Sequence, residues 1–405
     1  MHFIPILSTL RRHRTAAALI VLEIALTCAI VCNAIFLIRE RIERMNQPSG
    51  IAEDEIVRLQ VAGVTKLGDA AEITARDLAA LKAVPGVKAA ALTNMVPFGG
   101  SSWNTDIGTK PGAEAREINT AMYMGSQDLV ETLGVKLIAG RDFTPEEYAD
   151  FNAVQSQTAH MPSVIVTRGV AEHLYPGQNA VGKPIYAHGD EPQIIVGVIE
   201  HLARPNDFQG RRGARYAMLF PVTLPYNVGS NYLLRVDPAR RAEVLAAAER
   251  AINSVEPRIV LKRQTYADVR KENFRQDRSM TYLLTGVSIG LLIITALGIV
   301  GLASFWVQQR TRQIGIRRAL GATRQDILRY FQTENFILAT LGIVLGMGLS
   351  YGMNLWLMSK YQVPRLPIEF LPIGALLLWV LGQLAVLGPA LRAATIPPAI
   401  ATRTV

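Results

Sequence analysis

Four apolar runs dominate the pattern of hydrophobic and polar positions along the 405-residue chain. A hydrocarbon core about 30 Å thick takes around 20 apolar residues as a helix. Residues 15–38 meet that length with one charge, Glu23, while 280–307, 336–358 and 370–391 meet it with none. The first run is longer than the apolar stretch of a secretory signal, and no A-x-A cleavage pattern follows it. It therefore reads as a retained anchor. The pattern predicts a polytopic α-helical membrane protein with four transmembrane helices in a one-plus-three arrangement around a large segment, 39–279.

That segment has a different periodicity. Ile38, Ile42 and Met45 carry the helical period beyond the first run, with Arg39–Glu43 and Glu40–Arg44 as i,i+4 pairs, until Gln47-Pro48-Ser49-Gly50 ends it. At the far end, 266–279 is charged and free of glycine and proline, so a second helical stalk is expected there. Between the stalks, strands are expected at 55–61, 87–93, 231–236 and 258–262. Helices are expected at 74–83, with Thr74 as N-cap and Asp77 at N3, and at 238–255. Two βαβ patterns of this kind predict a split ferredoxin-like subdomain over about 51–125 and 226–263. Strand signals at 163–167, 184–187, 193–199 and 216–220 predict a strand-rich subdomain, about 160–222, inserted into the first. The whole is expected to be a large α+β extracytoplasmic domain.

Charge fixes the orientation. The net charge is +9, yet 39–279 holds 29 basic and 29 acidic residues, so the excess lies elsewhere. Arg11, Arg12 and Arg14 belong to the tail 1–14. Arg310, Arg312, Arg317, Arg318, Arg324 and Arg329 belong to the loop 308–335, and Arg392 and Arg403 to the tail 392–405. The short loop 359–369 has only Lys360 and Arg365. The positive-inside rule then makes both termini and 308–335 cytoplasmic. The basic balance is topological, and no nucleic-acid partner is expected. Only 19% of residues are charged against roughly a quarter in soluble domains; the 50% apolar content excludes disorder, and its concentration in four long runs excludes a wholly soluble enzyme. Cys28 and Cys32, at i,i+4 in the first run, read as small apolar fillers.

Several motifs suggest chemistry that their context denies. Gly177–Lys183 has the spacing of a phosphate loop, but Pro184 stands where a metal-binding hydroxyl belongs and a strand pattern follows. Gly286-Val-Ser288-Ile-Gly290 has nucleophile-elbow spacing inside an apolar helix. Gly286/Gly290 and Gly342/Gly346 read instead as small-residue helix-packing surfaces. His160, His173, His188 and His201 have no metal-ligand spacing. No catalytic residue, metal or cofactor is expected in this chain. Glu23 is the intramembrane exception. A carboxylate there is costly and reads as an assembly or coupling element, with Gln383 of the fourth run as a possible partner.

The loop 308–335 is the most informative segment. Residues 310–321 contain a short amphipathic helix, Gly321-Ala322-Thr323 breaks it, and Thr323 with Asp326 starts the next one. Arg310–Ala322 closely resembles the cytoplasmic signature of the MacB/FtsX-like ABC transporter permeases. Gly388–Pro398 looks like that family's C-terminal motif. Leu133–Phe143, and Ala180–Lys183 with Ile194–Val198, resemble its periplasmic core domain. The family commonly has glutamate where Gln309 and Gln313 stand, so this loop is the more basic.

The resemblance implies a permease subunit in the bacterial inner membrane, in contact with membrane lipid and paired with a second permease chain. Each chain would dock an ABC ATPase on its loop. No ATPase segment is present in this chain, so a separate polypeptide is expected to bind ATP and magnesium. Motion would pass through the helices to the external domain for efflux or extrusion, with a periplasmic adaptor and an outer-membrane duct as further partners. Arg312, Arg317, Arg318 and Arg324 would supply charged contacts, Ile314 an apolar knob, and Gly315, Gly321 and Ala322 close approach and a break. The other readings are an FtsX-like regulator of a periplasmic enzyme and a membrane-anchored receptor or scaffold without an ATPase. A membrane enzyme is disfavoured by the motif search.

Overall fold

The computed structural model describes residues 14–62, 70–187, 191–206, 213–255, 259–361 and 365–397. Arg11, Arg12, His188, Pro398 and Arg403 lie outside the described residues. The chain divides into a globular unit, Gln47–Arg275, and a helical unit formed by the segments on either side. The helical unit opens with α1 (Arg14–Met45), which continues well past its apolar run. Arg39 Nε donates to Glu43 Oε1 at 2.7 Å on that extension.

In the globular unit, β1 (Ile56–Ala62), β2 (Val87–Thr93), β11 (Asn231–Val236) and β12 (Ile259–Thr265) lie in the order β12-β1-β11-β2, all antiparallel. Each βαβ connection thus skips over a strand of the other, which interleaves the two units. Helices α2 (Ala70–Lys82) and α3 (Arg241–Val255) pack on one face. Alternation along β1 sends Val57, Leu59 and Val61 into the core with Leu81, Tyr232, Val244, Ala248 and Ile252. Arg58 and Gln60 fall on the other face.

The remaining strands extend this sheet rather than forming a detached insertion. From β2 the order runs through β4 (Ile118–Gly125), β10 (Ala217–Thr223), β7 (Ser163–Thr167), β9 (Gln193–Ile199) and β5 (Leu137–Gly140). The strand-rich half expected at 160–222 therefore also recruits β4, β5 and the short β3 (Asn104–Ile107), because β4 pairs along its length with β10 and not with β2. β2 and β4 share a single residue pair, Thr93 and Gly125. Side chains reinforce that seam. Thr93 Oγ1 donates to Met124 O at 2.9 Å, and Asn94 Oδ1 accepts from Met124 N at 2.9 Å. Ser126 Oγ accepts from Leu92 N at 2.9 Å.

Two local expectations are corrected. The helix expected from Thr74 starts at Ala70, since Ala70-Ala71-Glu72 are strong helix formers that propagate it by a turn. Thr74 is inside the helix, where its hydroxyl donates to Ala70 O at 2.7 Å and accepts from Tyr226 N at 2.8 Å. Asp77 is not a cap but a buried acceptor for the Tyr232 hydroxyl at 2.5 Å. The stalk expected over 266–279 is interrupted. Helix α4 (Tyr266–Asn273), opened by a Thr265/Asp268 capping box, stops at Phe274, whose buried ring packs 5.2 Å from that of Phe98.

The chain returns to the helical unit through α5 (Arg275–Gln309), α6 (Thr311–Ala319), α7 (Arg324–Tyr361) and α8 (Phe370–Ala394). Helices α1, α5, α7 and α8 are each long and apolar enough to cross a membrane. Helix α1 packs on α7 and α8, and the approach is close. A Cβ on Gly342 would meet Ile24 Cβ at 2.8 Å, and one on Gly346 would meet Cys28 Cβ at 2.5 Å. Both cysteines are buried and free.

The Tyr232–Asp77 contact ties α2 to the sheet. Tyr232→Phe removes a buried donor, and a cost of about 1–3 kcal/mol is expected. A fall of several degrees in the thermal midpoint of the globular unit, followed by circular dichroism of the full chain, checks this.

Candidate functional site

The turn joining α5 to α7 concentrates charge beside an apolar helix bundle. Arg310 ends α5, and its guanidinium Nη1 reaches both carboxylate oxygens of Glu334 on α7, at 3.1 and 2.9 Å. The pair is nearly inaccessible, with side-chain exposures of 9% and 2%. The guanidinium also lies 5.4 Å from the Trp306 ring centroid. A buried ion pair is favourable only when geometry and further contacts offset its desolvation. Here two hydrogen bonds and an aromatic face work against that cost, while Arg310 Nη2 is buried without a hydrogen-bond partner among the described residues. The pairing was not visible in the sequence. Its only signal was that Arg310 and Glu334 flank the ends of two apolar runs.

Helix α6 is anchored beneath that pair. Ile314 is 5% exposed and packs with Val307, Ile327, Phe331, Ala390 and Ala393, drawn from α5, α7 and α8. Arg318 donates to the Ile396 carbonyl, and the Arg317 guanidinium lies 4.9 Å from the Tyr330 ring centroid. Gly321 takes φ +99°, a left-handed conformation suited to glycine, and ends the helix. Thr323 and Asp326 then form a reciprocal cap for α7, with Thr323 N donating to Asp326 Oδ2 at 2.9 Å and Asp326 N to Thr323 Oγ1 at 3.2 Å.

This geometry redistributes the residues expected to face a partner. Ile314 is not an outward knob, and Gly315 is buried beside it. Both face the bundle because the side of α6 that meets α5, α7 and α8 is the apolar one. The outward apolar residues are Ile316 at 47% exposure and Leu320 at 83%. With Arg312 they recur at i, i+4 and i+8 and so share a face. Arg312, Arg317, Gly321 and Arg324 are exposed and Ala322 half-buried. Sequence reasoning missed Ile316 and Leu320 because isoleucines at 314 and 316 fit either face of so short a helix.

The intramembrane residues separate in the same way. Glu23 does not meet Gln383. Its carboxylate lies against Gly298 of α5, where a Cβ would come within 2.6 Å of Oε2. One turn on, the Thr27 and Thr295 hydroxyls are 2.8 Å apart. Gln383 Nε2 instead donates to Gln332 O at 3.4 Å. Gly286 and Gly290 have no atom of the described residues within 4 Å of a built Cβ. They do not serve as packing surfaces within this chain, because α5 meets its neighbours on another side. Ser288 donates to Leu284 O at 2.8 Å within the helix.

The histidines disperse. His160 Nδ1 pairs with Glu191 at 2.7 Å, His173 Nδ1 lies 3.4 Å from the Tyr216 hydroxyl, and His201 Nε2 lies 3.0 Å from Pro48 O. Burial pushes the His201 imidazole below its ordinary value. Among the described residues no group of three His, Cys, Asp or Glu side chains could hold a metal. The phosphate-loop-like segment forms a turn before the two-residue strand β8 (Pro184–Ile185), and its Gly182 N–H is taken by Ile195 O at 2.8 Å.

Breaking the Arg310–Glu334 pair leaves a buried charge, so Glu334→Ala is expected to cost about 3–5 kcal/mol. Replacing both residues by methionine should recover most of that loss. Thermal unfolding of the purified chain in lipid nanodiscs compares the two variants directly.

Comparison with known proteins gives these features a context. Residues 17–255 match the family model for the MacB-like periplasmic core domain, and 285–398 match that for the FtsX-like permease C-terminal region. The "Macrolide export ATP-binding/permease protein MacB" of Pasteurella multocida (strain Pm70) is 26% identical over 247 residues, 58% of this chain and 35% of that protein. The "Uncharacterized ABC transporter permease YknZ" of Bacillus subtilis (strain 168) is 22% identical over 293 residues, 69% of this chain and 66% of that one. The periplasmic region of MacB from Actinobacillus actinomycetemcomitans aligns with 56% of this chain and 97% of that structure, at 10% identity and a TM-score of 0.36. The chain thus spans about a third of the length of the MacB relative and about two thirds of YknZ. The core-domain match covers more than half of the chain, which therefore belongs to the MacB/FtsX family of ABC transporter permeases.

Proposed function

We propose that this permease transmits the ATP-driven motion of a separate ATPase, docked on α6, to its globular unit, and that the work done is extrusion of a substrate. The observation that carries the reading is the two-sided construction of α6. One side is locked to three membrane helices through Ile314, the other presents Ile316 and Leu320 with Arg312, Arg317 and Arg324 around them. An apolar centre rimmed by arginines is the usual make-up of a protein-binding patch. The lock matters as much as the patch. A force applied to α6 acts on α7 through the Arg310–Glu334 pair, on α8 through Ala393, and on the residues just after α8 through Arg318.

The arginine distribution supports a cytoplasmic location for this turn and for both termini, with the globular unit on the opposite side of a bacterial inner membrane. ATP and magnesium belong to the ATPase in this reading. The exposed apolar surface of α5, with Leu283, Val287, Ile294 and Leu297 between 49% and 65% exposed, suits lipid and a second permease chain. A periplasmic adaptor and an outer-membrane duct would complete an extrusion route.

The tagged chain, purified from its own membranes in mild detergent, should bring an ABC ATPase with it. Ile316→Glu with Leu320→Glu should cut the recovered ATPase at least tenfold while the chain remains folded and inserted. Full recovery of the ATPase with that double variant and with Arg317→Glu would sink the docking assignment.

A further inference from the structure

The sheet face opposite α2 and α3 is partly covered but not filled. Register puts Gln60, Asn231 and Lys262 side by side on it, with Arg58 two residues along. Helix α4 and the loop 94–103 stand over this face and leave a cleft of about 700 Å3 between themselves and the strands. That volume lies within the range of small-molecule sites. The cleft is lined on one side by Met95, Phe98, Trp103 and Leu261, and on the other by Arg58 and its amide neighbours.

Arg58 is the unusual member. It is 7% exposed, and its guanidinium donates to two neutral acceptors, Asn231 Oδ1 at 2.9 Å and Gln60 Oε1 at 3.0 Å. Asn231 is fixed in that orientation because its Nδ2 donates to Gly229 O at 2.9 Å and Asn94 O at 3.2 Å. The one carboxylate in the lining, Glu272, is engaged by Lys262 Nζ and Gln264 Nε2, each at 2.8 Å. Among the described residues no carboxylate lies within ion-pair distance of Arg58. Glu272 acts on Arg58 only from beyond contact distance; a buried cation without a directly bonded counter-ion is costly, and burial pulls the Arg58 guanidinium below its ordinary value.

The rim is held in advance. Phe98 takes φ +56°, unusual for an aromatic residue, and is kept there by its N–H on Arg204 O at 3.4 Å and by the Tyr266 hydroxyl on Pro97 O at 3.1 Å. Strain retained in a loop that borders a cleft is characteristic of ligand sites.

We propose that this cleft binds a small amphiphilic organic anion, its acidic group on Arg58 and its apolar body against Trp103, Phe98 and Leu261. A carboxylate or phosphate placed there supplies the missing counter-charge, and a charge-assisted contact in a desolvated setting is among the stronger polar interactions. The assignment does not depend on ATPase docking, because every residue in it lies within the globular unit.

The test uses the full chain in phosphatidylcholine nanodiscs, titrated with dansylglycine, an aromatic acid, and with dansylcadaverine, its cationic counterpart. Trp103 lines the cleft, and the other three tryptophans lie in the helical unit. Saturable energy transfer to dansylglycine is expected, lost in Trp103→Phe, with the dissociation constant raised at least tenfold in Arg58→Gln. Dansylcadaverine should give no saturable transfer. If Arg58→Gln fails to fold by circular dichroism, Leu261→Glu carries the test, since that position is 55% exposed and a carboxylate there repels the same acid. Unchanged affinity in the folded variant, equal binding of the cation, or no saturable transfer to the acid overturns the assignment.

Discussion

The buried contact between Arg310 and Glu334 sets the construction of the helical unit. It joins the end of α5 to α7 at the point where the chain leaves one membrane helix and turns toward the next. In its second half α5 also buries Ile299, Ala303 and Trp306 in an apolar cluster with Ala17, Ile20 and Ile24 of α1, next to the polar contacts around Glu23 and Thr27. The other three long helices pack closely through glycines and cysteines. The bundle therefore consists of a tight triplet and one helix whose first half is the more exposed and whose second half packs against it. At the far end the Asp277 carboxylate engages Arg41 and, at 3.7 Å, Arg44.

Helix α6 completes this arrangement by being short. Nine residues give little more than two turns, so one buried isoleucine is enough to fix which side faces the bundle. Once Ile314 is placed, the positions of Arg312, Ile316 and Leu320 follow. Arg312 and Arg324 are exposed, Arg317 is exposed while lying over the Tyr330 ring, and Arg318 is half-buried on the Ile396 carbonyl.

Much of the architecture was legible because it rests on long-range periodicity. Twenty apolar residues without charge have few alternatives to a membrane helix, and the strands at 87–93 and 231–236 followed from two strand–helix–strand patterns that bracket the segment. What escaped depended on pairing between distant segments. The Thr74 hydroxyl looked like a cap because its real partner, Tyr226 N, is 152 residues away. Gly286 and Gly290 have the same spacing as Gly342 and Gly346, but spacing does not say whether a helix lies opposite. Ile314 and Ile316 were indistinguishable until the bundle chose between them. The cleft over β1 was invisible for a related reason. A buried arginine in an alternating strand reads as an ordinary outward-facing residue until another element is laid across it.

The seam between the two halves of the sheet has a consequence for how this protein can change over generations. A backbone ladder is indifferent to most side chains, so paired strands tolerate drift as long as the buried face stays apolar. Between β2 and β4 the ladder is short, with main-chain bonds from Ser126 N to Leu92 O and from Asn94 N to Met124 O beside it, and Thr93, Asn94 and Ser126 reinforce it with their side chains. A substitution at Asn94 or Ser126 removes the side-chain acceptor of a main-chain amide, Met124 N or Leu92 N. Variation should therefore be permitted along the strands and filtered at their junction, which makes three small polar residues the slowest-changing part of an otherwise apolar sheet.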